Sequence, residues 1–151
     1  AASADERILT YLFHVHTVQR VFLAVWRGAP IQAPPKETPE LTSLLASARS
    51  THAEIASFLE SLDEPSLSQA VNLPWAGRFT ELTGKEPALI TMGDTMLQVV
   101  NHSTYHRGQV NSRLREVGGS PPMTDLIAWA GLGKPAADWP DPGLGERSEL
   151  A

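Results

Sequence analysis

Two histidines four residues apart, His102 and His106, carry the strongest chemical signal in the sequence. On an α-helix this spacing places both imidazoles on one face, about 40° apart around the axis and roughly 6 Å apart at Cβ. Two neutral imidazoles in that position can bind one metal ion. The alternative is that the two histidines share a solvated helix face by chance, and the spacing by itself does not decide between the two.

The position of this pair on the helix favours a site. With His102 taken as the zero of a helical wheel, Val99 and Val110 fall at about 60 to 80° and Leu114 falls at about 120°. The pair therefore borders the apolar face, where a ring nitrogen that has lost water needs another partner. A metal ion or a buried hydrogen-bond partner would satisfy that need.

A third ligand can come from the first predicted helix. His14 shares an arc of that helix with Val18 and Val25, whereas His16 lies about 200° away, toward the polar side. If either joins the pair at a core metal site, it is His14. The alternative for His14 is a core histidine satisfied by ordinary hydrogen bonds. His52 lies in a polar stretch and is predicted to be a surface residue.

Arg107 is unusual because the wheel places it at about 140°, on the far edge of the apolar stripe. A partly buried guanidinium needs a carboxylate or carbonyl partner, and Asp125 is the candidate. The alternative for Asp125 is a helix N-terminal position favoured by the helix dipole, with Thr124 as the cap. Gly108 is unfavourable inside a helix, which indicates a close backbone contact at that position.

The elements that must position these residues are helical. Apolar residues recur at three- and four-residue spacing, and a capping box between Ser3 and Glu6 would begin the first helix. Glycine and proline clusters mark where the helices end. The pattern predicts three long helices and one short one, over residues 3–28, 39–62, 87–117 and 124–130.

One long connection separates the second and third long helices. Residues 65–86 carry Pro74, Gly77 and Gly84 among short β-prone pieces at 69–73 and 78–83, which predicts an irregular excursion or a small hairpin. The expected fold class is all-α, a helix bundle with a long crossover. Residues 1–131 would form the helical domain, and residues 132–151, rich in glycine, proline and charge, an extended or poorly ordered tail.

The bulk properties exclude several kinds of site and partner. The chain has 151 residues, 42% hydrophobic and 19% charged, which is typical of one soluble globular domain. Its net charge of −5 disfavours nucleic acid as a partner. The absence of cysteine excludes disulfides and thiolate ligands, so a metal site must use nitrogen and oxygen donors. With no signal-peptide pattern and no apolar run near 20 residues, we expect a cytoplasmic protein without membrane contact.

A family resemblance supports the metal site. Residues 101–109, Asn-His-Ser-Thr-Tyr-His-Arg-Gly-Gln, resemble the signature of the DinB-like family, which reads roughly NHxxxHRGQ. Residues 12–14 and 19–23 are similar to the first histidine helix of that family, and residues 121–127 are similar to its last short helix. The resemblance extends from about residue 7 to residue 131 and agrees in order and spacing.

The resemblance implies a four-helix bundle that binds zinc, nickel or iron through three histidines, and His14, His102 and His106 occupy the matching positions. Members of the family usually begin with a long helix ahead of the first histidine helix. Here only about a dozen residues precede His14, so the first family helix would be missing, truncated or supplied by a neighbour. An apolar groove left in this way would favour a homodimer.

Three nitrogen ligands leave coordination positions for water or substrate, as catalytic metals require. By resemblance, the expected activity is that of a thiol S-transferase, in which the metal lowers the pKa of a low-molecular-weight thiol cosubstrate and presents the thiolate to a small electrophile or an isomerising substrate. Arg107 would brace the site or bind an anionic group of the substrate. Trp26 and Tyr105 would help to set specificity at the bundle mouth, unless they are ordinary packing residues.

Other functions stay open at the level of sequence. Hydrolysis by a metal-bound hydroxide is a variant, although no general base such as the glutamate of HExxH is evident. A non-catalytic stress protein that binds metal or a small ligand is the competing hypothesis. A purely structural helical scaffold, in which the histidines never meet, is the third.

Overall fold

A computed structural model describes residues 5–139 of the chain. Among these residues the regular structure is helical and no strand forms, which confirms the predicted all-α class. Two short helices and one 3-10 turn accompany three long helices. The elements are α1 Glu6–Trp26, α2 Leu41–Glu60, the 3-10 turn Glu64–Ser68, α3 Gly77–Thr83, α4 Met92–Glu116 and α5 Leu126–Gly131.

Helix α1 is the centre of the bundle because it packs against both α4 and α2. Its apolar stripe buries Phe22, Leu23 and Trp26 against α4, α2 and the connection between them. The indole Nε1 of Trp26 donates a hydrogen bond of 2.9 Å to Oγ1 of Thr95 on α4. The polar edge of the largest core side chain is therefore satisfied inside the core.

The start of α1 is held to the end of α4. Asp5 is the N-cap of α1, and its carboxylate accepts a hydrogen bond of 3.2 Å from the backbone N–H of Ile8. The same carboxylate binds the guanidinium of Arg113 at 2.8 Å, which holds the pKa of Asp5 below its usual value. The predicted cap Ser3 lies outside the described residues, and the helix begins after Asp5. Because these contacts join the N-terminus of α1 to the C-terminus of α4, the two helices are antiparallel.

Helix α4 begins later than predicted. Thr91 caps it in a capping box with Asp94, whose backbone N–H donates to Thr91 Oγ1 at 3.1 Å. The residues ahead of the cap are extended, and the backbone N–H of Met92 donates to the carbonyl of Gln69 at 2.9 Å. Pairing with residues 69–71 therefore uses backbone groups that a longer helix would need.

Of the two alternatives for the connection, the small hairpin is wrong and the irregular excursion describes it better. Of the β-prone piece at 69–73, only Ala70 forms an isolated antiparallel bridge, with Thr91. The other piece, at 78–83, lies in helix α3, which ends at Gly84 with φ of 68°. A left-handed residue of this kind is the usual end of a helix, and glycine adopts it without steric cost. Neither piece has a neighbouring strand to pair with along its length, so local helix formation satisfies the backbone of α3.

The chain after α5 returns to the bundle within the described residues. The indole Nε1 of Trp129 donates to the carbonyl of Pro135 at 3.0 Å, and the ring of Trp139 packs on His52 with centroids 5.2 Å apart. Residues 140–151 of the predicted tail lie outside the described residues. The proposed domain boundary at residue 131 stays a prediction.

By length and composition alone, α1 is long and apolar enough to cross a membrane. This differs from the expectation that no apolar run approaches 20 residues, because α1 contains charged residues between its apolar ones. The core helix of a water-soluble protein meets the same criterion. In this structure α1 carries five buried side chains and contacts two other helices. Packing in the bundle therefore covers part of its apolar surface.

The capping box predicts the effect of one substitution on stability. Thr91→Ala removes the hydroxyl that accepts from the first turn of α4, and we expect the free energy of unfolding to fall by about 1 kcal/mol. Thr10→Ala is the matched control, because Thr10 is exposed on α1 and alanine is the better helix former. Chemical denaturation measures both. An equal loss in the two variants would contradict the assignment of Thr91 as the cap.

Candidate metal centre

Three histidines from two helices meet at the seam between α1 and α4. The ring centroids of His14, His102 and His106 lie 4.4 to 4.9 Å apart. The Nε2 atoms of His14 and His102 are separated by 3.0 Å. One nitrogen from each ring lies within 4.8 Å of the others, which is compatible with a shared metal ion. We call these three residues the histidine triad.

The placement of the triad follows from helix geometry and from the antiparallel seam. The spacing of four residues brings His102 and His106 to one side of α4. On α1, His14 lies between the Asp5 end and the Trp26 end, so it faces the middle and later part of α4. His102 and His106 are half-buried and His14 is exposed. The triad therefore lies where the apolar core meets solvent.

Gln109 fixes the orientation of one triad ring. Its Oε1 lies 2.6 Å from Nδ1 of His106, and its amide Nε2 donates to the hydroxyl of Tyr105 at 3.3 Å. A carboxamide oxygen only accepts, so this bond requires His106 to carry its proton on Nδ1. The Nε2 atom of His106 is then unprotonated and available as a ligand, the arrangement found around most metal-binding histidines.

The buried Nδ1 of His102 has a different environment. It has no hydrogen-bond partner among the residues that the structure describes. Of the two α4 histidines, only His106 therefore has its second ring nitrogen held by a neighbouring side chain. The Nε2 of His102 faces His14 directly, so the contact between them needs either a proton or a cation between the two nitrogens.

The electrostatic environment favours neutral rings. Burial lowers the pKa of His14 and of His102, and the neighbouring triad histidines lower it further. A neutral imidazole is the form that binds a metal ion, because a protonated ring has no free lone pair. The candidate ligands are three imidazole nitrogens, and among residues 5–139 no carboxylate joins this cluster. These residues fit a divalent cation that accepts imidazole ligands.

Two tyrosines flank the triad. The ring of Tyr105 lies 5.0 Å from that of His106, and the ring of Tyr11 lies 6.2 Å from it. Tyr105 was expected at the mouth of the site and is exposed there. Trp26 was expected with it, but this residue is buried in the core against Phe58. Trp26 is therefore an ordinary packing residue, which was the alternative to a role in specificity.

Arg107 does not have the environment that its wheel position predicted. It is exposed and donates to Oγ1 of Thr104 at 3.0 Å. Asp125 instead caps α5 and accepts from the backbone N–H of Ala128 at 2.9 Å. The predicted Arg107–Asp125 pair is wrong, because the dipole and free N–H groups of α5 already use the carboxylate. The alternative of an N-terminal helix position holds, with Asp125 itself as the cap in place of Thr124.

A second cleft explains where Arg107 lies. It has a volume of about 380 Å³ and is lined by Arg107, His16 and His52 but by none of the triad histidines. The Nδ1 atom of His16 lies 3.0 Å from Oε1 of Gln19, and burial lowers the pKa of both His16 and His52. His52 is exposed, as predicted for a surface residue. Arg107 therefore belongs to the rim of this cleft and does not brace the triad.

Two residues near the triad were not singled out from sequence. Gln109 lies in the signature segment three residues after His106, a spacing that allows a side-chain contact on a helix. Tyr11 lies three residues before His14 and carries no comparable signal. The contact of Gln109 is local to α4, whereas Tyr11 comes near His106 only through the packing of α1 on α4.

Comparison with known proteins identifies the family. The model of the DinB family matches residues 3–135, which is most of the chain. The chain belongs to the DinB family. A search of curated proteins finds no match. The DinB family is a metal-binding family, and the histidine triad of this member is compatible with that property.

The lowered histidine pKa values predict a pH dependence of stability. In metal-free protein the pKa values of His14, His102, His16 and His52 lie below 6.5, so the unfolded chain binds more protons than the folded chain. The stability that these neutral histidines contribute is fully present above their pKa in the unfolded chain. It is lost as pH falls through their lower pKa values in the folded chain. Thermal unfolding with a chelator, from about pH 7.5 to about pH 5.5, measures this loss. We expect a shallower slope for His102→Asn, and an unchanged slope would contradict the explanation.

The hydrogen bond from His106 to Gln109 predicts a change in metal affinity. Gln109→Leu removes the acceptor for Nδ1–H, and the affinity for zinc is expected to fall about 10- to 100-fold. Gln98→Leu is the matched control, since Gln98 is an exposed glutamine of the same helix and lies outside the triad. Competition with a chromophoric chelator measures both constants. Equal affinities for parent and Gln109→Leu would exclude a role for this bond in holding the ligand.

Proposed function

We propose that this DinB-family protein binds one divalent metal ion through His14, His102 and His106 and is a metal-dependent enzyme of thiol S-transferase type. The observation that carries the proposal is the convergence of three imidazole nitrogens within 4.8 Å at the edge of the core. Three ligands from the protein leave one or more positions on the ion for a substrate. The exposure of His14 provides access to those positions.

The donor set narrows the choice of ion. Uncharged imidazoles suit zinc, nickel and iron, whereas calcium and magnesium prefer oxygen ligands. The cluster contains no carboxylate, so it resembles a nitrogen site and not an oxygen site. We therefore propose zinc, nickel or iron as the cofactor, with availability deciding among them.

The chemistry of thiol transfer suits such a site. A bound divalent cation would lower the pKa of a thiol presented to it and supply a thiolate nucleophile near neutral pH. Gln109 holds His106 in the ligating tautomer, and the partly apolar surroundings keep His14 and His102 neutral. A small molecule with an electrophilic centre would be the second substrate. Hydrolysis is less well supported, because no carboxylate lies in the cluster to activate water.

A non-catalytic protein that binds metal or a small ligand is the second candidate. It is favoured by the lack of a charged acid or base in the cluster itself. The two candidates differ in turnover and not in metal content. An assay of thiol consumption therefore separates them.

We also propose that the protein is a cytoplasmic homodimer. Several large apolar side chains on α4 and around α5 are exposed, and a second copy of the chain could cover them. The net charge of −5 disfavours nucleic acid as a partner. The exposed side chains are Leu97, Val100, Leu126, Ile127 and Leu132.

The first test is metal content in triad variants. Elemental analysis of protein purified without added metal should find about one ion per chain in the parent and little in His14→Ala or His106→Ala, because a site with two histidines binds weakly. His52→Ala is the matched control, since His52 is exposed and outside the triad. Circular dichroism verifies that each variant is folded.

The same preparations test the reaction. Loss of free thiol in the presence of 1-chloro-2,4-dinitrobenzene should be faster with the metal-loaded parent than with His106→Ala. Stoichiometric metal without any acceleration would favour the non-catalytic binder. A folded parent that contains no metal and takes none up on titration would overturn both the metal site and the enzyme.

A further inference from the structure

A groove runs along the seam from the histidine triad toward the N-terminus of α1. It has a volume of about 390 Å³ and is lined by Arg7 and Tyr11 from α1 and by Tyr105, Gly108 and Gln109 from α4, among others. No triad histidine lines this groove, but Gln109 in its wall binds His106 and both tyrosine rings pack near that histidine, so the groove lies beside the triad. A molecule bound at the triad can therefore extend into this groove.

Gly108 is not explained by packing within the chain. The sequence suggested a close backbone contact at this position, but a Cβ atom built there would meet nothing within 4 Å. Glycine inside a helix is destabilising relative to alanine. No close contact within residues 5–139 therefore requires a glycine at this position. The lack of a side chain instead keeps the floor of the groove open beside the triad.

The charges in the groove leave one cation uncommitted. Arg113 binds Asp5 at 2.8 Å and Glu116 at 2.9 Å, so its charge is offset on both sides. Arg7 is exposed and forms no ion pair with any residue in the described range 5–139. The groove therefore offers one guanidinium that is free to bind an anionic group.

The spacing between this cation and the triad defines the length of the ligand. Arg7, Tyr11 and His14 fall within about 60° of one another around α1, so they share one face of the helix. Arg7 precedes His14 by two helical turns, which is about 10 Å along the axis. A ligand with one end at the triad and a carboxylate at Arg7 would extend over Tyr11 and along Gly108.

We propose that this groove binds the non-reacting part of the thiol cosubstrate, that Arg7 binds its carboxylate, and that Gly108 leaves room for its chain. The substrate class is then an acidic thiol of medium length. This inference rests on the proposed thiol chemistry of the triad. It adds the residues that select among thiols, which that chemistry alone does not define.

A pair of matched probes tests the role of Arg7. 8-Mercaptooctanoate, whose extended chain spans about 10 Å from sulfur to carboxylate, is compared with 8-mercapto-1-octanol in calorimetric titrations of zinc-loaded protein. The parent should bind the acid at least about tenfold more tightly than the alcohol, the size expected of one charge-assisted contact. Arg7→Gln should bind the two about equally, with its affinity for the alcohol unchanged. Arg115→Gln, the same change of charge outside the groove, should behave as the parent.

A second pair of variants tests the role of Gly108. Gly108→Ala should raise the midpoint of thermal unfolding, because alanine is the better helix former and meets no neighbour. Gly108→Leu should fill the groove and weaken both probes about tenfold or more, while zinc content stays at that of the parent. A gain in stability together with a loss of thiol affinity is not expected of a purely structural glycine.

The outcomes separate this inference from the proposed function. If neither probe binds the zinc-loaded parent, the thiol chemistry fails and this inference with it. If the probes bind and the parent prefers the acid over the alcohol no more than Arg7→Gln does, the thiol chemistry stands and the assignment of Arg7 is overturned. If Gly108→Leu changes the oligomeric state in sedimentation and leaves thiol affinity unaltered, the groove is an interface between copies, which overturns its assignment as a thiol site.

Discussion

The antiparallel packing of α1 on α4 is the constraint on which the rest of the structure depends. Two polar contacts hold it at opposite ends: Trp26 binds Thr95 inside the core, and Asp5 binds Arg113 at the far end of the seam. A shift of α1 by one residue would turn its side chains by about 100° and move them 1.5 Å along the axis. His14 would then leave the other two histidines. The register of one helix pair therefore decides whether a three-nitrogen site exists.

The triad lies at an intermediate depth that suits a reactive site. At the buried end of the seam, Trp26 and Thr95 are shielded from water, and an ion there would be inaccessible to substrate. At the other end, Asp5 and Arg113 form a partly buried ion pair. Between these ends, burial lowers the pKa of His14 and His102 while one side of the cluster stays open. Neutral ligands and access are thus obtained together.

The two histidine–glutamine pairs show why local sequence does not define a site. His16 with Gln19 and His106 with Gln109 have the same spacing and the same contact between Nδ1 and Oε1. Only His106 has two further imidazoles beside it. His16 instead faces the single ring of His52, at 5.8 Å between centroids, along a different cleft. A local hydrogen bond prepares a ring nitrogen, but the neighbouring helix determines whether other ligands join it.

The helical class, the approximate extent of the three long helices and the pairing of His102 with His106 could be predicted from sequence, because each depends on spacing along one chain segment. The position of His14 on an apolar arc and the family signature also made it the candidate third ligand. Contacts between elements settled the rest: His14 reaches the pair, Arg107 is exposed along another cleft, and within residues 5–139 no other part of the chain comes within 4 Å of a Cβ built at Gly108. The tertiary structure also made residues 78–83 a helix, since a β-prone segment forms a strand only where another strand can pair with it.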